Sequence, residues 1–336
     1  MAVLQAHPKP PDGRTATSLC VVVPAYNEEE VLETLHARLS TVLDALPFAW
    51  QILYVNDGSL DRTGAVLMAL ASRDPHVAVL ELSRNFGKEI ALSAGLDHAD
   101  ADLIVVIDAD LQDPPELIPA LVAGFEQGYD VVYAQRTARA GESWFKRLSA
   151  GGFYRVAGRL TQVQIPADTG DFRLLSRRAN YALRQLREQH RFMKGLFAWI
   201  GFPQLAVPYR RDARFAGQSK WNYWRLWNFA LEGITSFSTA PLKLATYAGL
   251  LSALLSFSYG LFILVRTLLY GNPVPGYPSL LVAILFLGGL QLMAIGIVGE
   301  YVGRMFDEVK GRPLYLLKTR LVGAPIRTRP DPLRQG

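Results

Sequence analysis

The sequence is poor in cysteine and in charge. It has one cysteine among 336 residues, Cys20, so an intrachain disulfide framework is excluded and a zinc site built from cysteines is not expected. Only 19% of the residues are charged, against about 25% in ordinary soluble domains, while half are hydrophobic. This balance excludes a largely disordered chain, which needs low hydrophobicity and high charge. It also indicates that part of the chain lies in lipid.

Signatures of two common nucleotide-binding folds are absent. The sequence contains neither the Gly-x-Gly-x-x-Gly of dinucleotide-binding domains nor a Walker motif. Its net charge of +5 fits nucleic acid, anionic lipid or a phosphorylated substrate as a partner, and composition does not choose among them. The motifs described below favour a phosphorylated substrate at a membrane and no nucleic acid.

Short apolar runs alternate with helical patterns in the first part of the chain. The runs are rich in β-branched residues and predict strands at 19–23, 52–55, 77–80, 103–107 and 131–134. Apolar residues at helical spacing predict helices at 28–46, 61–70, 90–96 and 115–127. This alternation predicts an α/β fold with a mostly parallel sheet and helices on both faces. Ligands of such sheets bind at the carboxyl ends of the strands.

Two long uncharged stretches occupy the C-terminal third. Residues 244–265 and 267–299 contain no charged side chain, and about 20 apolar residues suffice to cross a bilayer core. A turn with three prolines at 271–278 interrupts the second stretch. The pattern therefore predicts two transmembrane helices, at 242–266 and 279–302. The alternative is a pair of buried helices in a soluble protein.

Lysine and arginine are distributed unevenly around the two predicted spans. The turn carries none, whereas the chain after residue 303 carries eight. By the positive-inside rule, both termini and the α/β domain are then cytoplasmic. Before the first span, residues 220–229 combine three tryptophans and a tyrosine with two cations, which suits the lipid headgroup layer. The alternative for this segment is an aromatic contact between domains.

These patterns divide the chain into five parts. We expect a disordered N-terminal extension over 1–18, an α/β domain over 19–220 and an interfacial amphipathic segment over 221–241. A two-helix transmembrane hairpin over 242–303 and a cytoplasmic basic tail over 304–336 complete the chain. The protein is therefore expected to be an integral membrane protein.

Two carboxylates follow the fourth predicted strand. Asp108 and Asp110 are spaced i, i+2 at the strand end, just before a helix that prolines open. Mg²⁺ prefers a few carboxylates together with phosphate oxygens of a substrate, so the pair can converge on one such cation. Gln112 can add a carbonyl oxygen. The alternative for an Asp-x-Asp pair is a solvated turn.

Polar motifs also follow the first three predicted strands. Glu28 in Pro-Ala-Tyr-Asn-Glu-Glu is placed to accept from a ribose hydroxyl, and Asp57 in Asn-Asp-Gly-Ser from a ring N–H of a base. Lys88 in Arg-Asn-Phe-Gly-Lys-Glu is placed to meet a diphosphate. Taken singly, each motif also fits a helix cap, a turn or a solvated basic loop. Together at adjacent strand ends they indicate a nucleotide pocket.

Basic residues occur in several motifs that precede the aromatic segment. Asp171 and Arg173 lie in Gly-Asp-Phe-Arg-Leu, Arg191 lies in Arg-Phe-Met-Lys, and Arg214 and Lys220 precede the aromatic segment. This pattern favours a phosphate group at the membrane surface as the partner. Nonspecific attraction to anionic lipid is the alternative.

Five motifs in order, together with the two-helix tail, give the chain a family resemblance. Pro-Ala-Tyr-Asn-Glu-Glu, Asn-Asp-Gly-Ser, Arg-Asn-Phe-Gly-Lys-Glu, Asp-Ala-Asp-Leu-Gln-Asp-Pro-Pro-Glu and Gly-Asp-Phe-Arg-Leu resemble glycosyltransferase family 2 over about residues 19–318. More narrowly, the chain resembles the polyprenyl-phosphate glycosyltransferases, which include the GtrB-type glucosyltransferases and dolichol-phosphate mannose synthase. The resemblance implies a GT-A fold, a nucleotide-sugar donor, a divalent metal (Mg²⁺ or Mn²⁺) and a lipid-phosphate acceptor.

The resemblance also implies roles for individual residues. It places Asp108, Asp110 and Gln112 at the metal and the diphosphate, and Asp171 in the active site as the catalytic carboxylate. The residues expected to bind the donor nucleotide are Pro24, Ala25, Tyr26, Glu28, Asp57, Lys88, Asp108 and Ala109. The residues expected to bind the phosphate of the acceptor are Arg173, Arg191, Arg214 and Lys220.

The expected reaction is transfer of glucose from UDP-glucose to undecaprenyl phosphate, with inversion, at the cytoplasmic face of a bacterial inner membrane. Alternatives are a GDP-mannose or another UDP-sugar donor, a glycolipid acceptor, and an inactive membrane scaffold that retained the fold. The resemblance and the glycine-rich second helix suggest a homo-oligomer such as a tetramer. The chain lacks the Gln-x-x-Arg-Trp of processive family members, which argues against a polymerase, and its first eighteen residues have no family counterpart.

Overall fold

The computed structural model describes residues 16–137, 169–209, 240–270 and 276–323. Most of the expected N-terminal extension and most of the expected interfacial segment lie outside these ranges. Ser18 is fully buried at the start of the first strand, and its hydroxyl donates to Asp102 Oδ2 at 3.0 Å. The folded domain therefore begins at or before residue 18, slightly earlier than the predicted boundary.

The described residues contain eight strands, eight helices and one 3₁₀ turn at Pro115–Leu117. The strands are β1 (Ser18–Ala25), β2 (Ala49–Asn56), β3 (Val77–Leu82), β4 (Leu103–Val106), β5 (Val131–Arg136), β6 (Thr169–Ser176), β7 (Gln204–Tyr209) and β8 (Leu317–Leu321). The helices are α1 (Leu32–Asp44), α2 (Thr63–Arg73), α3 (Lys88–His98), α4 (Ile118–Glu126), α5 (Arg177–Gln185), α6 (Met193–Trp199), α7 (Ala240–Tyr270) and α8 (Tyr277–Lys310).

The strands form one mixed sheet in the order β7-β5-β6-β4-β1-β2-β3-β8. The prediction of parallel strands is confirmed for the four central strands β4, β1, β2 and β3, whose carboxyl ends carry the motifs. β7 also runs parallel to its neighbour β5, and the flanks of the sheet add antiparallel pairs that the pattern did not specify. There β6 runs antiparallel to β4 and β5, and β8 runs antiparallel to β3.

The reversal of β6 has a direct consequence for the predicted site. β6 begins at the edge where the parallel strands end, and its Arg173 pairs with Val106, the last residue of β4. Asp171 therefore lies beyond the end of β4, beside the loop that starts with Asp108. An antiparallel partner is what brings the first residues of one strand to the last residues of another.

Two apolar layers cover the faces of the sheet. α1, α2 and α4 pack on one face, and α3, α5 and α6 pack on the other. All eight residues of β1 are buried, as expected for a central parallel strand that is covered on both sides. α3 lies so close to β1 that a Cβ atom at Gly95 would be 2.2 Å from Val22 Cγ1. This close packing fixes the position of Lys88 at the start of α3.

The two predicted C-terminal helices are present and longer than expected. α7 has 31 residues and α8 has 34, and both are long and apolar enough to cross a membrane. The candidate spans are Ala245–Tyr270 and Phe286–Lys310. Their large apolar side chains are exposed, as Phe257 shows with 73% of its surface accessible. Among the described residues, most of the large apolar side chains of these helices are left uncovered, which does not fit the alternative of two buried helices.

The C-terminal segment is not a separate basic tail. α8 continues to Lys310, ends at Gly311 in the left-handed conformation (φ 60°), and β8 follows. β8 pairs with β3, and Lys318 forms an ion pair with Glu81 at 2.9 Å. The predicted boundary at residue 304 is therefore wrong, because it divides a continuous helix and removes a strand from the α/β domain. Without β8, the backbone of β3 would be an open sheet edge.

Candidate active site

An open pocket of about 640 Å³ lies at the carboxyl ends of β1, β2 and β4. Every residue predicted to bind the donor nucleotide lines it, namely Pro24, Ala25, Tyr26, Glu28, Asp57, Lys88, Asp108 and Ala109. Asp110 lines it as well, and Asn85, Gly87 and Ala91 complete the wall. The structure thus brings together residues from four separate motifs, and their binding roles stay predictions.

The loops after β1 and β2 are joined by hydrogen bonds. Asn27 N–H donates to Ser59 Oγ at 3.1 Å, and Leu60 N–H donates to Asn27 Oδ1 at 2.9 Å. Asn27 has a positive φ of 55°, a conformation that asparagine tolerates better than most residues. These bonds give a local reason for Asn27 in the first motif and Ser59 in the second, and they join the Tyr26 and Glu28 side of the pocket to the loop after β2.

Asp57 links this wall to the loop after β3. Its side chain is 2% exposed, Phe86 N–H donates to Oδ1 at 2.7 Å, and Gly87 N–H donates to Oδ2 at 2.9 Å. Burial raises the pKa of Asp57, and the two N–H groups only partly offset that effect. The next residue, Gly58, has a φ of 64°, and a Cβ atom there would lie 2.4 Å from the carbonyl carbon of Arg84. Asp57 therefore positions the loop that leads to Lys88.

Lys88 joins two carboxylates at the centre of the site. Its Nζ lies 2.8 Å from Asp108 Oδ2 and 2.5 Å from Asp171 Oδ2. Burial by itself lowers the pKa of Lys88, but the charges of the two carboxylates outweigh burial and raise it above its usual range. For Asp171, burial raises the pKa, while the charges of Lys88 and Lys194 outweigh burial and hold it below its usual range. The cluster therefore contains a charged lysine between carboxylates.

The predicted metal ligands suit a hard divalent cation. Asp108 and Asp110 line the pocket, whereas Gln112 is 5% exposed, does not line it, and donates its N–H to Asp110 Oδ1 at 3.2 Å. The described residues contain no group of three or more His, Cys, Asp or Glu side chains that could hold a metal. Mg²⁺ is usually bound by one or two carboxylates plus substrate phosphates, so this oxygen-donor pair fits a metal that arrives with the donor.

The basic residues predicted for the acceptor are not placed in the pocket. Arg173 is 4% exposed, donates from Nη2 to Gly170 O at 2.8 Å, and lies 3.7 Å from the centre of the Phe197 ring. Arg191 is 7% exposed and donates from Nη1 to Leu186 O at 2.6 Å. Both guanidinium groups are held by structural contacts, which argues against the predicted role. Arg214 and Lys220 lie outside the described residues.

Two charged residues that the motifs did not single out belong to the same cluster. Glu89 Oε2 accepts from Met193 N–H at 3.0 Å. Burial, and then the charge of Asp171, raise the pKa of Glu89 to about 7. Lys194, on α6, adds a positive charge that acts on Asp171. Glu89 follows Lys88 directly in the sequence, and this adjacency was a signal by which it could have been found. Its hydrogen bond with Met193 joins residues 104 positions apart, which no local motif predicts.

The comparisons with known proteins cover both parts of the chain. Residues 20–184 match the family Glycosyl transferase family 2, and residues 240–305 match the GtrB C-terminal hairpin. A glycosyltransferase of Synechocystis sp. is 54% identical over 89% of this chain and 94% of that protein. The bactoprenol glucosyl transferase of Shigella phage SfII is 48% identical over 91% of this chain and 99% of that protein.

A solved structure of lower identity also matches part of the chain. Glucosyl-3-phosphoglycerate synthase from Mycobacterium tuberculosis, in complex with Mn²⁺, UDP-glucose and phosphoglyceric acid, is 22% identical with a TM-score of 0.44, over 65% of this chain and 77% of that one. A likeness of this strength assigns neither substrate nor metal. The family match and the α/β sheet confirm the predicted GT-A domain followed by two apolar helices. The chain belongs to glycosyltransferase family 2 and carries the GtrB type of C-terminal hairpin.

Proposed function

We propose that this protein transfers glucose from UDP-glucose to undecaprenyl phosphate, with inversion, giving the lipid-linked sugar phosphate and UDP. The observation that carries the proposal is the 48% identity to a bactoprenol glucosyl transferase over 91% of the chain. This likeness includes both the pocket and the hairpin, so it extends to the part that would meet a lipid.

The proposed acceptor is a phosphate, and its ionisation explains why the reaction needs little proton transfer. A phosphate monoester has a second pKa near 6, so at pH 7 it is mostly a dianion and a competent nucleophile. One of its oxygens forms the new bond to the anomeric carbon as the bond to UDP breaks, and UDP leaves with the electron pair. Asp171, kept ionised by Lys88, either accepts a residual proton or orients a sugar hydroxyl or a cation. Positioning then contributes much of the rate.

Asp108 and Asp110 are the residues that would hold the divalent metal, Mg²⁺ or Mn²⁺, with Gln112 behind them. When bound, the metal neutralises the negative charge that develops on the leaving diphosphate. Lys88 lies beside Asp108, so its ammonium group would meet the same phosphates. Asp57, Glu28 and the backbone of Pro24–Tyr26 would hold the nucleoside.

The two apolar helices of the hairpin support a site at a membrane. α7 and α8 would span the bacterial inner membrane, with both termini and the catalytic domain on the cytoplasmic side because the basic residues lie there. Close packing of small residues such as Gly296 and Gly299 would allow helices of neighbouring copies to form a homo-oligomer such as a tetramer. The acceptor phosphate emerges from the bilayer on the side of the catalytic domain.

The test uses the full-length protein purified in detergent, supplied with undecaprenyl phosphate, Mg²⁺ or Mn²⁺, and one nucleotide sugar at a time. Release of UDP that depends on the lipid phosphate, with formation of a glucose-bearing lipid, is the expected result. Turnover only with GDP-mannose or another UDP-sugar would replace the donor. Turnover only with a glycolipid would replace the acceptor, and absence of nucleotide binding would favour the inactive scaffold.

A further inference from the structure

We propose that Lys194 is the cation that binds the phosphate group of the acceptor beside Asp171. The inference rests on the proposed function, since it names the residue that recognises the lipid phosphate. It moves this role from Arg173 and Arg191, where the sequence pattern suggested it, to a lysine three positions after Arg191.

The placement of Lys194 follows from the packing of α6 against β6. Lys194 and Phe197 are spaced i, i+3 and lie on one face of α6. Asp171 and Arg173 are spaced i, i+2 and lie on one face of β6. The Arg173 guanidinium covers the Phe197 ring at 3.7 Å, which joins these two faces. Lys194, one helical turn before Phe197, is thereby directed to the Asp171 side of the cluster.

The start of α6 is held firmly in this position. Glu89 Oε2 accepts from the N–H of Met193, the residue before Lys194. Glu89 follows Lys88, which in turn contacts Asp171. The backbone at the start of α6 is therefore linked to the ion cluster through the side chain of Glu89, which is the sequence neighbour of Lys88.

Lys194 has an ammonium group that no described residue binds. It forms no hydrogen bond and no ion pair with the residues that the structure describes, although Asp171 is the strongest opposite charge acting on it. The other cations near Asp171 are engaged, because Lys88 bridges two carboxylates and Arg173 donates to backbone carbonyls. Asp171 Oδ1 is likewise buried without a hydrogen-bond partner. A cation and an acceptor oxygen are thus both available in one place.

A phosphate dianion that approaches Asp171 needs such a cation. Carboxylate and phosphate repel each other, and an ammonium group between them removes that repulsion. Burial lowers the pKa of Lys194 and the charge of Asp171 opposes this effect, so a second anion beside Lys194 would favour its charged form further. The phosphate would receive N–H donors from Lys194 while Asp171 keeps its contact with Lys88.

The acceptor rather than the donor is the source of this phosphate. Lys194 does not line the pocket at the ends of β1, β2 and β4, whereas Lys88 and Asp108 do. The segment just before α6 contacts the hairpin helix α8, where Gln189 N–H donates to Glu308 Oε1 at 2.7 Å and His190 Nε2 lies 3.1 Å from Asp307 Oδ2. The segment that leads into α6 therefore contacts the helix that would enter the membrane, and the start of α6 contacts Glu89 beside the ion cluster.

The experiment measures both Michaelis constants for the full-length wild-type protein and for Lys194→Gln, with undecaprenyl phosphate and UDP-glucose varied in turn. We expect the KM for undecaprenyl phosphate to rise about tenfold or more, while the KM for UDP-glucose changes less than about twofold. Lys194→Arg should recover part of the acceptor affinity because it retains the charge. Lys318→Gln, on the exposed edge strand, is the matched control and should change neither constant.

Each other outcome has a defined meaning. A rise in the KM for UDP-glucose alone would assign Lys194 to the donor diphosphate and overturn the inference. A loss of kcat with both constants unchanged would make Lys194 a positioning residue for Asp171 and overturn it as well. If the wild type shows no turnover with undecaprenyl phosphate, the proposed function fails, and direct binding of farnesyl phosphate to wild type and Lys194→Gln still tests the site. Equal affinity, or no binding to either, would then overturn the inference.

Discussion

Lys88 Nζ lies 2.5 Å from Asp171 Oδ2, although the two residues are 83 positions apart in the sequence. The same ammonium group lies 2.8 Å from Asp108 Oδ2. Lys88, at the start of α3, therefore bridges the carboxylate of Asp108, which follows β4, and the carboxylate of Asp171, which lies in the antiparallel strand β6. The geometry brings two carboxylates to one ammonium group, next to the pocket in which a metal and a phosphate would bind.

Substitution of Lys88 should disable this cluster. In Lys88→Met the two carboxylates lose the cation that bridges them, so one of them takes up a proton or moves away. We expect kcat to fall about 10²–10³-fold, as for other preorganised electrostatic groups. Initial rates at saturating donor and acceptor provide the measurement. Lys318→Met is the control on the exposed edge of the sheet, and equal rates for the two variants would contradict a central role for Lys88.

The role of Asp171 can be read from turnover and its pH dependence together. If Asp171 is a general base, Asp171→Asn should lose about 10²-fold or more in kcat. The charge of Lys88 helps to hold the pKa of Asp171 below its usual range, so Asp171 stays ionised throughout the neutral and mildly acidic range. A decline of the rate near pH 6 should therefore come from the acceptor phosphate and persist in the variant. Near-normal turnover of Asp171→Asn would exclude the base role.

The sign of the corresponding stability effect follows from linkage. A carboxylate with a depressed pKa in the folded state stabilises the fold above its unfolded pKa, and this stabilisation is lost as the pH falls through the folded pKa. For Asp171 the loss should occur below the ordinary value of 3.8. Glu89 behaves oppositely, because its raised pKa of about 7 costs stability as the pH rises from 4.5 to 7. Thermal unfolding of Glu89→Gln should therefore depend less on pH across that interval than the wild type.

Asp110 should be essential for metal-dependent turnover but not for folding. Asp110→Asn removes one of the two pocket carboxylates that suit a divalent cation, so lipid-linked product should no longer form at any Mg²⁺ or Mn²⁺ concentration tested. The variant should still fold and insert into membranes. Asp100→Asn, whose side chain is 67% exposed, is the control. Normal turnover of Asp110→Asn would remove the metal assignment.

Gly58 should tolerate no side chain. In Gly58→Ala the Cβ atom would lie 2.4 Å from Arg84 C and 2.5 Å from Asn85 N, and φ is 64°. We expect a loss of about 3 kcal/mol or more in the free energy of unfolding, because backbone strain and a backbone clash combine. Gly201→Ala has a similar φ of 69° and no close contact, so it should lose only about 1 kcal/mol. The free energies of unfolding are measured by urea denaturation. Equal losses for the two variants would show that the structure around residue 58 relaxes and relieves the clash.

Removal of β8 should expose the edge of β3. A chain that ends after Leu316 lacks this strand, leaves backbone groups of β3 unpaired and should aggregate or unfold at lower temperature. A chain that ends after Gly323 keeps β8 and removes only the residues after it, so it is the matched control. Size-exclusion profiles and thermal unfolding compare the two. Identical behaviour would mean that the strand adds nothing to the domain.

Several features could be predicted because they depend on neighbouring residues. The run 19–23 is apolar and β-branched, which specifies a strand whatever surrounds it, and the uncharged stretch 244–265 specifies a long apolar helix. The motifs after these strands converge because parallel strands end at one edge of a sheet. Most of the pocket lining between Pro24 and Asp110 could be predicted in this way, since these residues lie at that edge, in loops or at the adjoining ends of β1 and α3.

Other features were beyond the sequence pattern. The basic motif at 191–194 favoured Arg191, yet Arg191 is turned into the protein and donates to Leu186 O. The sequence of a motif is the same whether its arginine side chain contacts a ligand or a backbone carbonyl. The position of β8 was also missed, because β8 is separated from β3 by the whole hairpin and its own sequence is short and basic.

The sequence by itself determined the class of the fold, the two apolar helices and the residues that gather at one edge of the sheet. Local periodicity and apolar run length encode these features directly. Only the tertiary structure decided that β6 is antiparallel, that Lys88 pairs with Asp171, and that Arg191 donates to Leu186 O. These outcomes depend on which distant segments pack together, and that choice is made by the burial of the whole core rather than by any one motif.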